Sequence, residues 1–113
     1  MRRIVYAGGS FLTTAEIAGT LMRLAVGVAV LGGTELVEVP VCGDADGTDT
    51  AQLVIGPGLP LLNLPVDWRG DEPDFTTENL MLQMRTSYPA TGGNGDALPA
   101  DSGAPWSADF DEW

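Results

Sequence analysis

The C-terminal tip of the chain combines large aromatic side chains with carboxylates, and this combination is typical of a segment that docks into a groove. Its aromatic residues are Trp106, Phe110 and Trp113, and its acidic residues are Asp109, Asp111 and Glu112. Spacings of four and three positions would place the three rings on one face of a helix. Because such rings are costly to leave in water, we expect them to anchor in a groove while the carboxylates steer the tip toward a basic protein surface.

The same rings could instead cover an apolar area of their own domain. Docking in trans and folding back in cis remove the same apolar surface from water, so the sequence favours neither. The dipeptide Gly92-Gly93 precedes an Asp-rich segment and could mark a cleavage point, which would make the tail a processed substrate. These alternatives stay open at the level of sequence.

Three aspartates in one loop, Asp44, Asp46 and Asp49, could offer oxygen ligands to Ca²⁺ or Mg²⁺. A calcium loop of the EF-hand kind also needs a glycine and a late glutamate at set positions, and Ile55 stands where that glutamate should be. The spacing therefore favours a solvated hairpin loop, and we expect no metal site.

The chain has few residues suited to catalysis, because its 113 positions include no histidine and no lysine. This removes the commonest general base and the Schiff-base nucleophile. Ser10 follows a glycine pair between a predicted strand and helix, but no phosphate-binding pattern is complete there. Cys42 borders an acidic loop, whose carboxylates should raise the pKa of the thiol rather than activate it. We expect a protein that is not an enzyme and needs no cofactor.

The formal charge of −11 is distributed unevenly along the chain. Residues 1–42 hold three arginines and three glutamates and are neutral by formal count. All of the net negative charge follows Cys42, where only Arg69 and Arg85 are cationic. A field of that sign repels nucleic acid and anionic membranes and attracts basic protein surfaces.

The single cysteine excludes an internal disulfide, which favours a reducing cytoplasm. Glu16 and Arg23 interrupt the apolar stretch after the N-terminus, so a signal peptide or membrane span is not predicted there. The use of arginine without lysine, together with abundant Ala, Gly and Asp, is typical of a GC-rich, bacterial coding bias.

The segments that must position these groups begin with a strand at residues 4–6 and a long helix. Thr13 and Glu16 fit a capping box at the start of the helix, and Gly32-Gly33 supplies its end. One continuous helical stripe is formed by Ile17, Leu21, Leu24, Val28 and Leu31.

Period-two alternation predicts a β-hairpin over residues 35–56, with Pro40 at an edge or a strand end. Residues 59–66 carry two prolines and are predicted to be an extended edge segment. Asp74 or Thr76 can cap a short helix from residue 77 to about 87, in which we expect Leu80, Met81 and Met84 to face inward.

The order β-α-β-β-(β)-α predicts a small α+β domain over residues 1–88, a two-layer sandwich of helices on an antiparallel or mixed sheet. A right-handed crossover would make the first two predicted strands parallel. Residues 89–113 are predicted to be a disordered, acidic tail, because Gly, Pro, Ala and Asp dominate without periodicity.

We therefore expect an interaction protein whose tail docks on a basic partner. The alternative is a structural subunit of a homo-oligomer, joined through the edges of the hairpin and of residues 59–66.

Overall fold

Five strands and two helices follow one another in the computed structural model, which describes residues 1–43 and 47–89. Their bounds are β1 Arg2–Tyr6, β2 Gly9–Thr13, α1 Ala15–Leu31, β3 Glu35–Cys42, β4 Thr48–Ile55, β5 Leu62–Pro65 and α2 Thr76–Gln83. The strands form one sheet in the order β4-β3-β2-β1-β5, in which every recorded pairing is antiparallel. The predicted α+β sandwich is confirmed.

The strand β2 is missing from the sequence prediction. Gly8 takes a positive φ of 83° in the turn after β1, and the chain then returns alongside β1 with Gly9 opposite Tyr6. Only five residues form β2, too few for alternation to stand out beside the helix that follows. The first two predicted strands, β1 and β3, do run parallel, because each is antiparallel to β2. They are not neighbours, however, since β2 lies between them and α1 connects β2 to β3.

Helix α1 begins one residue later than predicted. Thr14 is its N-cap, and the Thr14 hydroxyl accepts a 3.2 Å hydrogen bond from the amide of Ile17. Thr13, the predicted cap, belongs to β2 and has a different partner. At the other end Gly32 adopts the left-handed conformation with φ 80° and donates to the carbonyls of Val28 and Ala29, as the glycine pair predicts.

The core lies between α1 and one face of the sheet. The predicted stripe of α1 is buried except for its last member, since Leu31 is exposed at the end of the helix. The helix residues in the core are Ile17, Leu21, Leu24 and Val28, and they pack against Ile4, Val37, Val39, Leu53 and Ile55 of the sheet.

The predicted hairpin and the predicted edge segment are both present. In the hairpin Glu35 pairs with Ile55 at one end and Cys42 with Thr48 at the other, and Gly43 donates to the carbonyl of Gly47 in the connection. The edge segment forms β5, which pairs with β1 alone among the described strands.

Helix α2 is shorter than predicted and presents a different face to the core. The N-cap is Phe75 rather than the predicted Asp74 or Thr76, and it makes no side-chain cap hydrogen bond. Asp74 does accept hydrogen bonds from the amide and hydroxyl of Thr76, the first residue of the helix. Burial falls on Phe75, Asn79 and Leu82, spaced by four and three positions. The inward orientation predicted for Leu80, Met81 and Met84 is wrong, because these side chains are 55%, 65% and 75% exposed.

Neither helix in residues 1–43 and 47–89 has the length and apolar character needed to cross a bilayer.

Candidate interaction surface

The tail residues predicted to bind a partner lie outside the described part of the chain. They are Trp106, Asp109, Phe110, Asp111, Glu112 and Trp113, all within residues 90–113. Two of the weak metal candidates, Asp44 and Asp46, are also outside it. The third, Asp49, is exposed and uses its Oδ1 to accept from the Thr50 amide at 2.8 Å. In residues 1–43 and 47–89 no group of three His, Cys, Asp or Glu side chains could hold a metal ion.

A groove of about 400 Å³ lies between α2 and the face of the β3–β4 hairpin that α1 does not cover. Its apolar lining comes from Leu36 and Pro40 on β3 and from Met81 and Leu82 on α2. We call this feature the methionine groove. It exists because strand residues alternate between faces: Val37 and Val39 enter the core, which leaves Leu36 and Pro40 on the opposite side.

The sheet opens beside the methionine groove. Strands β2 and β3 pair at a single position, Leu12 opposite Cys42, so most of that edge of β3 has no strand partner among the described residues. Side chains supply donors there instead: Thr13 Oγ1 bonds the Pro40 carbonyl at 2.8 Å, and Arg85 Nη2 bonds the Leu36 carbonyl at 3.3 Å. Pro40 fits this edge because it has no N–H to leave unpaired.

The rim of the methionine groove carries a net negative charge. Glu38 and Glu78 line it, and within the described ranges neither carboxylate forms a salt bridge. Glu38 accepts only a 3.0 Å hydrogen bond from the side-chain amide of Gln52. The one cation of the lining, Arg85, is already paired with Glu35 at 3.1 Å. The rim is therefore suited to a cationic ligand.

The Glu35–Arg85 pair also fixes the segment that follows α2. The buried Ser87 hydroxyl forms no hydrogen bond of normal geometry in the described structure, yet it lies near enough to Glu35 to be the largest cause lowering the pKa of that carboxyl. Hydrogen bonding and charge attraction from Arg85 lower the same pKa further, whereas partial burial raises it.

The apolar surface extends beyond the methionine groove. Val54 lies directly opposite Leu36 on the same face of the hairpin, and both side chains are more than half exposed. Met84, the C-cap of α2, follows Met81 by three positions and keeps the helical backbone conformation, which places the two sulfur-containing side chains on the same side. These exposed apolar side chains lie beside the acidic rim of the methionine groove.

On the outer edge of β4 a side chain of the strand itself, that of Asp49, occupies one of the backbone donors. Pro40 and Thr50 are directly opposite, and since the Pro40 carbonyl points away from β4, the Thr50 amide points away from β3. Asp49 accepts from that amide. A carboxylate bonded along an edge discourages pairing with another strand.

Cys42 borders a second pocket, of about 300 Å³, which is lined in part by Trp68, Asp71 and Glu72. Burial is the main cause that raises the pKa of the thiol, followed by the negative charge of Glu72. The predicted direction is therefore confirmed, although the larger cause is burial. A thiol of this kind is poorly suited to nucleophilic attack.

No family model, curated protein or solved structure matches the chain.

Proposed function

We propose that the protein is a non-enzymatic, cytoplasmic interaction module whose acidic, aromatic tail binds a basic surface on a partner protein. The aromatic residues Trp106, Phe110 and Trp113 anchor the contact. The carboxylates of Asp109, Asp111 and Glu112 steer the encounter. The observation that carries the proposal is the charge distribution, which is neutral through residue 42 and strongly acidic beyond it.

The described surface supports this choice in two ways. Among the described residues the titratable groups with a shifted pKa are Glu35, Cys42 and Asp74. They belong to an ion pair, a partly buried thiol and a helix start, and none of them forms a nucleophile–base pair. The acidic rim of the methionine groove also has the sign of the tail, so both attract a partner of positive charge.

The test compares full-length bait with two variants in a quantitative pull-down from the native host. The first variant replaces Trp106, Phe110 and Trp113 by serine and keeps every charge. The second replaces the three tip carboxylates by their amides and keeps every ring. We expect the first to lose the partners and the second to retain them more weakly, with less dependence on salt. Recovery of the same partners by a bait that ends at Gly103 would refute the proposal.

A second candidate function is a structural subunit of a homo-oligomer. Strand β4 favours it, since its eight residues form a sheet edge with no further strand beside it in the described ranges. The Asp49–Thr50 contact and the charge of −11 oppose it. Light scattering over a concentration series tests it, and a monomer at high concentration would exclude it.

A further inference from the structure

The outer side of α2 exposes Leu80 and Met81 beside Glu78 and Gln83, whereas a surface helix is ordinarily polar there. Scattered exposed apolar residues need no explanation, but a contiguous group beside a groove does. Met81 and Met84 adjoin on the helix, and Met81 shares the methionine groove with Leu36, which in turn pairs with Val54. The surface therefore spans two elements that are far apart in the sequence.

We propose that the methionine groove, together with Met84 and Val54, binds a basic amphipathic segment of a partner protein. The inference deepens the proposed function, on which it rests, by placing a second binding surface on the folded domain. In this complex the apolar side of the bound segment contacts Met81 and Met84, and its basic side contacts Glu38 and Glu78.

The apolar chemistry of the surface fits a helical segment. Methionine is unbranched and polarisable, so methionine-rich surfaces repack around apolar side chains of differing shape. A helix lying in a groove contacts it through residues at positions i, i+3 or i+4, and i+7. The groove volume of about 400 Å³ is within the range of pockets that enclose ligand groups.

The charges around the methionine groove favour a basic occupant over the other possible occupants. Glu38 and Glu78 stand without cationic partners in the described structure, while Arg85 is neutralised by Glu35. A basic segment gains both carboxylates as partners. A second copy of this chain brings a charge of −11 to the same place and is repelled.

The acidic tail of the same chain is long enough to reach the methionine groove, but its charge disfavours it as the occupant. A segment as long as residues 90–113 can extend about 80 Å, which exceeds the 42 Å long axis of the described part of the chain. However, Asp109, Asp111 and Glu112 would approach the two rim glutamates, and like charges at short range repel. The groove and the tail are therefore two separate surfaces for basic partners.

The experiment titrates the full chain, labelled with ¹³C at its methionine methyl groups, with a synthetic peptide. The peptide has about 18 residues, or five helical turns, with leucine along one face and lysine on the other. An isomer of the same composition with its residues scrambled is the control. We expect saturable shifts of the Met81 and Met84 methyl signals, while those of buried Met1 and half-buried Met22 stay in place.

Three full-chain variants locate the contact. Met81→Asp places a charge in the apolar lining and is expected to weaken peptide binding at least tenfold. Glu38→Gln with Glu78→Gln should weaken it several-fold and flatten its salt dependence. Val26→Asp, on an exposed position of α1, is the matched control and should leave the affinity unchanged. Circular dichroism of each variant verifies the fold.

Four outcomes would overturn the inference. They are equal binding of the scrambled peptide, unchanged affinity in Met81→Asp, a more than tenfold gain in affinity on deletion of residues 104–113, and a dimer that Met81→Asp dissociates. The third result would assign the groove to the tail, and the fourth to a second copy. The serine variants of the tail aromatics should not alter the peptide titration, so failure of the groove and failure of the tail proposal are distinguishable.

Discussion

The hydroxyl of Thr13 donates a 2.8 Å hydrogen bond to the carbonyl of Pro40 where strands β2 and β3 separate. Thr13 and Pro40 are both buried, so water is a poor substitute for this donor. This side-chain contact takes the place of a backbone ladder bond at the opening of the sheet.

Replacement of Thr13 by valine should destabilise the protein by about 1–2 kcal/mol, because the buried Pro40 carbonyl loses its donor while the packing volume is kept. Urea denaturation measures the loss. Thr13→Ser retains the hydroxyl and serves as the control. Amide exchange at Leu12 and Cys42 should accelerate in the valine variant only, and equal exchange in both variants would show that the hydrogen bond does not hold the junction.

The close approach of α1 to the segment after α2 depends on the absence of a side chain at Gly27. A Cβ atom there would lie 2.0 Å from the Ser87 carbonyl oxygen and 3.0 Å from Cδ of Pro89. Gly27→Ala should therefore cost about 2–3 kcal/mol, although alanine is the better helix former.

Gly19, in the same helix, provides the matched control for this substitution. No atom lies within 4 Å of a Cβ built at that position, so Gly19→Ala should stabilise the protein by about 1 kcal/mol. Thermal denaturation of the pair measures the difference. A stabilising Gly27→Ala would mean that the Ser87 segment does not pack on α1 as described.

The Glu35 carboxylate should make stability depend on pH in the acidic range. Its pKa lies below the ordinary value of 4.5, mainly through Ser87 and Arg85. A lowered folded-state pKa contributes stability that is present above the unfolded-state pKa and is lost as the pH falls through the folded-state pKa. The difference in urea midpoint between wild type and Glu35→Gln should thus be largest near neutral pH and shrink below about pH 4.5.

Asp67→Asn is the control for the pH series, because Asp67 is exposed and forms no ion pair within the described ranges. Its midpoint should follow that of the wild type across the series. A Glu35→Gln difference that stays constant with pH would exclude a charged Glu35 as the source of the stabilisation.

The thiol of Cys42 should react slowly with iodoacetamide at pH 8. Burial and the charge of Glu72 raise its pKa, so less thiolate is present than for a free cysteine. Glu72→Gln should shift the rate profile to lower pH by removing the nearby charge. Asp71→Asn alters another carboxylate of the same pocket and should have a smaller effect. Mass spectrometry follows the reaction, and equal profiles for the two variants would contradict the assigned role of Glu72.

The local sequence pattern was sufficient to predict the elements in which buried residues recur at regular spacing. The stripe of α1 repeats over four turns, and the helix ends at Gly32, whose left-handed conformation closes it. The alternating valines of β3 likewise predict the hairpin and its inward face. In both cases a single arrangement buries the apolar residues, so sequence alone determined the element and its orientation.

Tertiary contacts decided the orientation of α2 and the existence of β2. Two adjacent stripes compete on α2, and the more apolar one, with Met81 and Met84, faces outward because Phe75 and Leu82 are the side chains that reach the core. Strand β2 is defined by its pairing with β1 and by the Thr13–Pro40 bond. The chain by itself determined a long helix, a hairpin and an acidic second half. The methionine groove arises only from packing, since its walls come from a hairpin and a helix that are far apart along the sequence.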